Sequence, residues 1–316
     1  MSRITIIDTD PGIDDAVAIL LALVSPEFDV AGITTVAGNI GIDTVTRNAG
    51  RILALAGRGD IPVIPGAAAP LSRKGFDTAD IHGSDGLGGV TFPEPVSEPL
   101  PGPAWTWIAD MLDRHPKGTV DILALGPLTN IAMLVRERPE SASRIGRLIA
   151  MGGAVHERGN VGPRAEFNIA ADPEAADIVF RAGLPLVLVP LDVTRRVRAT
   201  KADTAFLRES GTPAAKASAD LVDAYFQSTG SGESRPLHDP CVMLFAMRPD
   251  LFELSPLRLS VDCGFGEDAG ALGLSDDGPE VSVAMKVLGA EALALLAERL
   301  TRPPPPVPDA PASSRN

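Results

Sequence analysis

Short apolar runs alternate with amphipathic stretches along the first two thirds of the chain. Residues 4–7 are apolar or β-branched and predict a strand, and residues 13–24 carry apolar side chains at helical spacing and predict a helix. The same order of strand and helix returns over residues 30–57, 120–138 and 147–193. Strands this uniformly apolar are covered on both faces. The pattern therefore predicts an α/β fold with an open, mostly parallel sheet flanked by helices.

The last third of the chain has a different pattern. It is mainly helical around residues 200–250, and two further strands are predicted near residues 257–261 and 281–287. A final helix is predicted at residues 290–300. These elements follow one another without a break in composition.

The domain organisation follows from the absence of an internal linker. Residues 1–302 are predicted to form one α/β domain. Residues 303–316 read PPPPVPDAPASSRN, a composition that cannot continue a helix and has little to bury. This tail is predicted to be disordered.

Composition and charge exclude several classes of partner. The 316 residues include 28 Lys and Arg against 41 Asp and Glu, a net charge of −13 that disfavours nucleic acid or an anionic membrane. No stretch approaches the roughly 18 consecutive apolar residues of a membrane span. Two cysteines cannot form a disulfide framework. We expect a cytoplasmic protein.

Negative charge is concentrated in the turn after the first strand, where the sequence reads DTDPGIDDA. Asp8, Asp10, Asp14 and Asp15 all lie between that strand and the helix after it. Capping of the helix is one explanation for Asp14 and Asp15, but it does not account for Asp10. A bound divalent cation would offset the repulsion, and an all-oxygen ligand set favours calcium or magnesium.

Polar residues also follow the other predicted strands. Because ligands bind at the carboxyl ends of parallel strands, the segments AGN, LGPLTN, MGGA and PLDVT are all candidates for one site. His82, in a glycine-rich loop, and His238, before Asp239, are the histidines best placed for function. His238 and Asp239 stand at a predicted helix start, so simple capping is an alternative for them.

These motifs, taken in order, resemble those of the inosine-uridine-preferring nucleoside hydrolases. The resemblance rests on DTDPGIDDA, HGSDGLGG, ALGPLTNIA, MGGA, EFNIAADPEAA, PLDVT and HDP and covers about residues 4–290. It implies a Rossmann-like fold, a tightly bound Ca²⁺, hydrolysis of the N-glycosidic bond of ribonucleosides to ribose and base, and assembly as a homodimer or homotetramer.

The resemblance also implies a role for individual residues. The calcium ligands would be the side chains of Asp10, Asp15 and Asp239 and the main-chain oxygen of Leu125. Asp10 would also act as the general base and His238 as the acid that protonates the leaving base. The substrate contacts would be Asp14, Asn39, His82, Met151, Asn160, Glu166 and Asn168. For Glu166 and Asn168, a helix cap or a loop hydrogen bond remains an alternative.

Base preference and two other functions stay open at this level. Tyr225 or Phe226 could stack on a base, or either could pack between helices. The sequence is also compatible with a non-catalytic nucleoside or ribose binder on the same fold. The pair Asp8 and Asp10 resembles the nucleophile turn of Mg²⁺-dependent haloacid-dehalogenase-like phosphohydrolases, although Gly12 stands where that pattern calls for Thr or Val.

Overall fold

The computed structural model describes residues 2–228 and 232–303. The tail beyond residue 303, where disorder is predicted, lies outside the described residues. The strands, in chain order, are β1 (Arg3–Thr9), β2 (Phe28–Thr35), β3 (Val63–Pro65), β4 (Val120–Ala124), β5 (Leu148–Met151), β6 (Leu186–Val189), β7 (Arg198–Thr200), β8 (Ser234–Pro236), β9 (Phe252–Val261), β10 (Leu272–Leu274) and β11 (Glu280–Val287).

The helices surround the larger of two sheets. They are α1 (Ile13–Val24), α2 (Ile42–Leu55), α3 (Ala79–His82), α4 (Ala104–Arg114), α5 (Thr129–Glu137), α6 (Pro139–Ala142), α7 (Phe167–Ala171), α8 (Pro173–Arg181), α9 (Leu191–Thr194), α10 (Lys201–Glu209), α11 (Pro213–Ser228), α12 (Pro240–Met247) and α13 (Gly289–Leu300), with a 3-10 turn at Pro249–Leu251. Among the described residues, no helix is both long and apolar enough to cross a membrane.

The main sheet has nine strands in the order β10-β9-β11-β6-β5-β4-β1-β2-β3. All neighbours from β11 to β3 pair in parallel, and β9, near one edge, runs antiparallel to both of its neighbours, β11 and β10. The predicted open, mostly parallel, Rossmann-like sheet is therefore confirmed. The chain builds outward from β1 to β3 and then returns to place β4 on the other side of β1. This reversal creates a crevice at the carboxyl ends of β1 and β4.

Alternate residues of the central strands supply two separate cores, one on each face of the sheet. Ile7, Leu123 and Ile149 belong to the core that contains α1 and α12, whereas Ile6 and Ile122 belong to the core under α4, α5 and α8. Successive side chains of a strand point to opposite faces, so both sets must be apolar when helices cover both faces. This is why the strands lack polar alternation.

The mainly helical segment predicted around residues 200–250 contains α10, α11 and α12. Strand β8 lies between α11 and α12 and pairs antiparallel with β7, which precedes α10. Each of these strands has three residues, too few for a period of two to be recognised in the sequence. The pair places the segment that leads into His238 beside the end of α9.

Candidate active site

The candidate site lies in the crevice between β1 and β4. Strand β1 ends at Thr9 and α1 begins at Ile13, so the acidic turn occupies the carboxyl end of the central strand. The main-chain N–H of Leu125, just after β4, donates to the main-chain oxygen of Asp8 over 2.7 Å. This bond joins the two loops that flank the crevice.

Asp8 fastens the turn to its neighbours. Its Oδ1 accepts hydrogen bonds from the Thr34 hydroxyl at 2.6 Å and from the Asn130 amide at 2.8 Å. Burial raises the pKa of Asp8 to about 6. These contacts tie β1 to β2 and α5.

Asp10 is completely buried and only half satisfied. Its Oδ2 accepts from the main-chain N–H of Asn39 at 2.6 Å, whereas its Oδ1 finds no hydrogen-bond partner within residues 2–228 and 232–303. A Cβ atom at Gly38 or Gly126 would collide with this carboxylate, so both neighbouring turns are built around it. A buried carboxylate oxygen without a partner is costly unless a ligand supplies one.

Three further acids converge on the same place. Carboxylate oxygens of Asp14, Asp15 and Asp239 lie within 4.8 Å of one another, and all three residues are buried. Asp15 also accepts from the Thr9 hydroxyl at 2.5 Å and from the N–H of Gly12 at 2.9 Å, so it caps α1 as well. Asp15 therefore both caps α1 and belongs to the acidic cluster.

The acids raise one another's pKa values. Burial is the largest cause of the raised pKa values of Asp10, Asp15 and Asp239, and the charges of neighbouring members of the cluster add to it. The pKa values of Asp10 and Asp239 rise well above their ordinary range. Positive charge placed among them would reverse this effect and favour the ionised carboxylates.

Ten of the twelve residues that the sequence assigned to the site line one cavity at this edge of the sheet. They are Asp14, Asn39, His82, Leu125, Met151, Asn160, Glu166, Asn168, His238 and Asp239. The other two, Asp10 and Asp15, are bonded to the side chain or main chain of Asn39. The structure thus brings all twelve positions together from six separate parts of the chain.

Asn39 joins the acids to the cavity wall. Its side-chain amide donates to the Asp10 main-chain oxygen at 3.1 Å and to Asp15 Oδ2 at 3.0 Å, while its Oδ1 accepts from the Thr78 hydroxyl at 2.8 Å. These bonds engage most of the hydrogen-bonding capacity of Asn39. In this structure Asn39 holds the acidic cluster.

The opposite wall is formed by the start of α7. Glu166 caps this helix and also accepts from the N–H of Gly153 at 2.8 Å. Burial raises the pKa of Glu166 to about 7. The Asn168 amide donates to the main-chain oxygens of Leu125 at 2.6 Å and Met151 at 3.1 Å. For Glu166 and Asn168 the sequence left a helix cap and a loop hydrogen bond open as structural roles. Both kinds of contact are observed.

The two histidines are held differently. His82 accepts at Nδ1 from the N–H of Ile13 over 2.9 Å, which leaves Nε2 as the nitrogen that carries its proton when neutral. His238 Nδ1 lies 2.8 Å from the Thr194 hydroxyl. Burial lowers the pKa of His238, and the charge of Asp14 opposes this effect.

Comparison with known proteins identifies the family. The model of the inosine-uridine preferring nucleoside hydrolase family matches residues 5–293. The chain belongs to this family. It is therefore one of the nucleoside hydrolases, enzymes that hydrolyse N-glycosidic bonds.

Individual relatives cover most of the chain. It is 44% identical over 270 residues to the pyrimidine-specific ribonucleoside hydrolase RihA of Photobacterium profundum, and the match covers 84% of this chain and 84% of that protein. It is also 44% identical over 259 residues to the non-specific ribonucleoside hydrolase RihC of Escherichia coli, covering 81% of this chain and 83% of that protein. A solved plant nucleoside hydrolase, PpNRh1, superimposes with a TM-score of 0.89 at 36% identity, covering 96% of this chain and 100% of that one.

Four residues that the sequence did not assign to the site also line the cavity. They are Thr78, Ile81, Phe167 and Tyr225. Of the two aromatic candidates left open, Tyr225 reaches the cavity, whereas Phe226 is buried with the Arg235 guanidinium 5.0 Å from its ring centroid. Apolar lining residues have no chemical signature in a sequence. The one available signal was the position of Phe167 inside the EFN motif.

Proposed function

We propose that this enzyme hydrolyses the N-glycosidic bond of ribonucleosides in a calcium-dependent reaction that gives ribose and the free base. The observation that carries the proposal is the unpartnered Oδ1 of Asp10 beside three further buried carboxylates. In a nucleoside hydrolase, that arrangement at the floor of the cavity supports a cation site adjacent to the sugar.

The donor chemistry fits calcium. The side chains of Asp10, Asp15 and Asp239 and the main-chain oxygen of Leu125 would hold the ion, and every donor is an oxygen. Calcium accepts six to eight oxygen ligands in flexible geometry, which suits carboxylates drawn from two distant parts of a chain. When bound, the cation supplies positive charge that lowers the pKa of a nearby water molecule.

The residues around the floor would divide the reaction between them. Asp10 Oδ1 would accept the proton of the attacking water, because no protein group already occupies that oxygen. Asp14, Asn160, Glu166 and Asn168 would bind the ribose hydroxyls. The remaining negative charge would stabilise the positive charge that develops on the ribosyl ring as the C–N bond breaks.

The other end of the cavity would receive the base. Ile81, Phe167 and Tyr225 line the same cavity and give it apolar and aromatic surface suited to stacking. His238 would donate a proton to the departing base and His82 would contact it. Uridine, cytidine and inosine are the substrates we propose, since the similar curated relatives are named as pyrimidine-specific and as non-specific hydrolases.

The direct test is release of reducing sugar from uridine, cytidine, inosine, adenosine and 2'-deoxyinosine, with and without a chelator. We expect turnover of ribonucleosides that stops on chelation and returns with Ca²⁺. The 2'-deoxy substrate should be turned over far less, because buried groups that bind the 2'-hydroxyl would be left unpaired. Hydrolysis of a phosphate ester alone, or tight nucleoside binding without turnover, would contradict the proposal and favour one of the two alternative functions.

A further inference from the structure

The short helix α9 follows β6 and carries the PLDVT motif, to which the proposed reaction gives no role. Thr194, its last residue, is completely buried. The N–H of Thr194 donates to the main-chain oxygen of Pro190 at 3.1 Å, so the helix fixes its backbone. A β-branched side chain on a fixed backbone has few rotamers, which makes the Thr194 hydroxyl a rigid hydrogen-bonding group.

That hydroxyl lies 2.8 Å from Nδ1 of His238, although 44 residues separate the two in sequence. Main-chain hydrogen bonds also link the two segments that carry Thr194 and His238. Val197 donates its N–H to the oxygen of Thr194 at 3.2 Å, and Leu237 donates to the oxygen of Val197 at 2.9 Å. The segment before His238 is therefore fastened to the end of α9, and the hydroxyl acts on the ring itself.

The bond decides which nitrogen faces the substrate. His238 lines the cavity, so with Nδ1 engaged by Thr194 the nitrogen left for a bound base is Nε2. The hydrogen bond made by one ring nitrogen sets the orientation and the tautomer of the other. When Nδ1–H donates to the threonine oxygen, the same bond persists before and after the ring loses its Nε2 proton.

We propose that Thr194 is a positioning residue that holds His238 with Nε2–H directed at the leaving base. This inference rests on the proposed function. In the step concerned, the proton on Nε2 moves to a nitrogen or oxygen of the base, and the electron pair of the C–N bond leaves with the base. The water oxygen forms the new bond to the anomeric carbon, and the water proton goes to Asp10.

A second residue of α9 provides a matched control. Asp192 accepts from the N–H groups of Val155 and His156 at 2.9 and 2.8 Å and so fastens the loop that leads to Asn160. The hydrogen bond to the His238 ring comes from Thr194 and not from Asp192. Asp192→Asn should therefore affect sugar binding and raise KM, whereas loss of the Thr194 hydroxyl should affect protonation of the base and lower kcat.

The test compares Thr194→Val, Thr194→Ser and Asp192→Asn on uridine and on 4-nitrophenyl riboside, whose leaving group departs without a proton. Thr194→Val should lower kcat for uridine about 10- to 100-fold, with KM within about twofold and turnover of the nitrophenyl substrate within about threefold. Thr194→Ser should restore most of the activity. Asp192→Asn should change KM for both substrates.

The outcomes separate the two proposals. Equal losses on both substrates, or no loss on uridine, would overturn the role of Thr194 while wild-type turnover still supports the proposed function. Absence of wild-type turnover on every ribonucleoside would overturn both. ¹⁵N NMR of the wild-type protein does not depend on a folded variant. The His238 Nδ1 signal should have the shift of a hydrogen-bonded nitrogen, and a shift typical of an Nδ1 without a hydrogen bond would overturn the inference.

Discussion

Asp10 combines full burial, a charge and one oxygen without a partner. Its other oxygen is held by the main chain of Asn39, so the side chain cannot turn away to find water. The main chain at Gly38 and Gly126 approaches the carboxylate so closely that a Cβ at either position would collide with it. The free oxygen is therefore presented in a fixed direction, which is what a metal ligand or a general base needs.

Asp10→Asn removes this charge while keeping the size of the side chain. We expect ribonucleoside hydrolysis to fall by at least about 10²- to 10⁴-fold, the usual contribution of a positioned general base. The melting temperature of the metal-free protein should not fall, because one of several mutually repelling carboxylates is lost.

The control is Asp277→Asn, an exposed acid in the turn between β10 and β11. It removes the same charge from the chain and should leave turnover unchanged. Near-normal activity in Asp10→Asn would show that neither role assigned to Asp10 is correct.

The sequence predicted polar site residues better than apolar ones. Asp10, Asp15 and His238 were recognisable because they stand in the motifs DTDPGIDDA and HDP. Tyr225 and Ile81 line the cavity through tertiary packing of α11 and α3 at the rim, and no local pattern distinguishes such residues from ordinary core. The hydrogen bonds of Glu166 and Asn168 likewise depend on loops that meet only in the folded chain.

At the scale of elements, Asp172 connects three parts of the rim. It caps α8 through the N–H of Ala175, and its Oδ2 accepts from the Thr129 hydroxyl at 2.7 Å and from the N–H of Leu71 at 2.9 Å. Helices α5 and α8 and the loop before α3 therefore share one buried carboxylate. A single side chain thus links all three of these segments.

Asp172→Ala should destabilise the fold by about 2–4 kcal/mol, since a cap is lost and two donors are left without a partner. Asp177→Ala, on the same helix, breaks only a surface pair with Arg181 and should cost less than about 1 kcal/mol. Urea unfolding of both variants measures the difference. Equal costs would mean that Asp172 does not join these elements.

Long elements were predictable and short ones were not. Helix α1 was predicted with its observed bounds, because apolar side chains recur at helical spacing throughout residues 13–24. Strand β9 was predicted to begin at residue 257, after Pro256, but it begins at Phe252. Proline is tolerated there because β10 pairs only with Leu259–Val261, so Pro256 lies on an open edge. The three-residue strands β3, β7, β8 and β10 had no detectable pattern.

At the scale of the whole molecule, the fold brings together acids that are far apart in sequence. Asp15 lies in the first turn of α1, Asp239 stands directly before α12, and the two helices pack against each other. The positive ends of both helix dipoles therefore face the acidic cluster and offset part of its charge. The sequence indicated a cluster near the first strand, but only the packing of α1 on α12 explains how Asp239 joins it.

The remaining repulsion predicts a strong effect of the cation on stability. Calcium at about 100 times its dissociation constant should stabilise the fold by roughly 2.7 kcal/mol, which raises the melting temperature by several degrees. Differential scanning calorimetry of chelator-treated protein, with and without added Ca²⁺, measures the shift. Asp239→Asn should show a smaller shift, and an unchanged melting temperature in wild type would contradict a cation site built from these acids.

Titration of metal-free enzyme with Ca²⁺, followed by ribose release from uridine, tests whether one calcium ion held by Asp10, Asp15 and Asp239 is required for hydrolysis. We predict no turnover before addition and full turnover once one ion is bound per chain, with the stoichiometry measured by mass spectrometry of the metal content. Full turnover by protein shown to contain no divalent metal would show that hydrolysis does not require the ion.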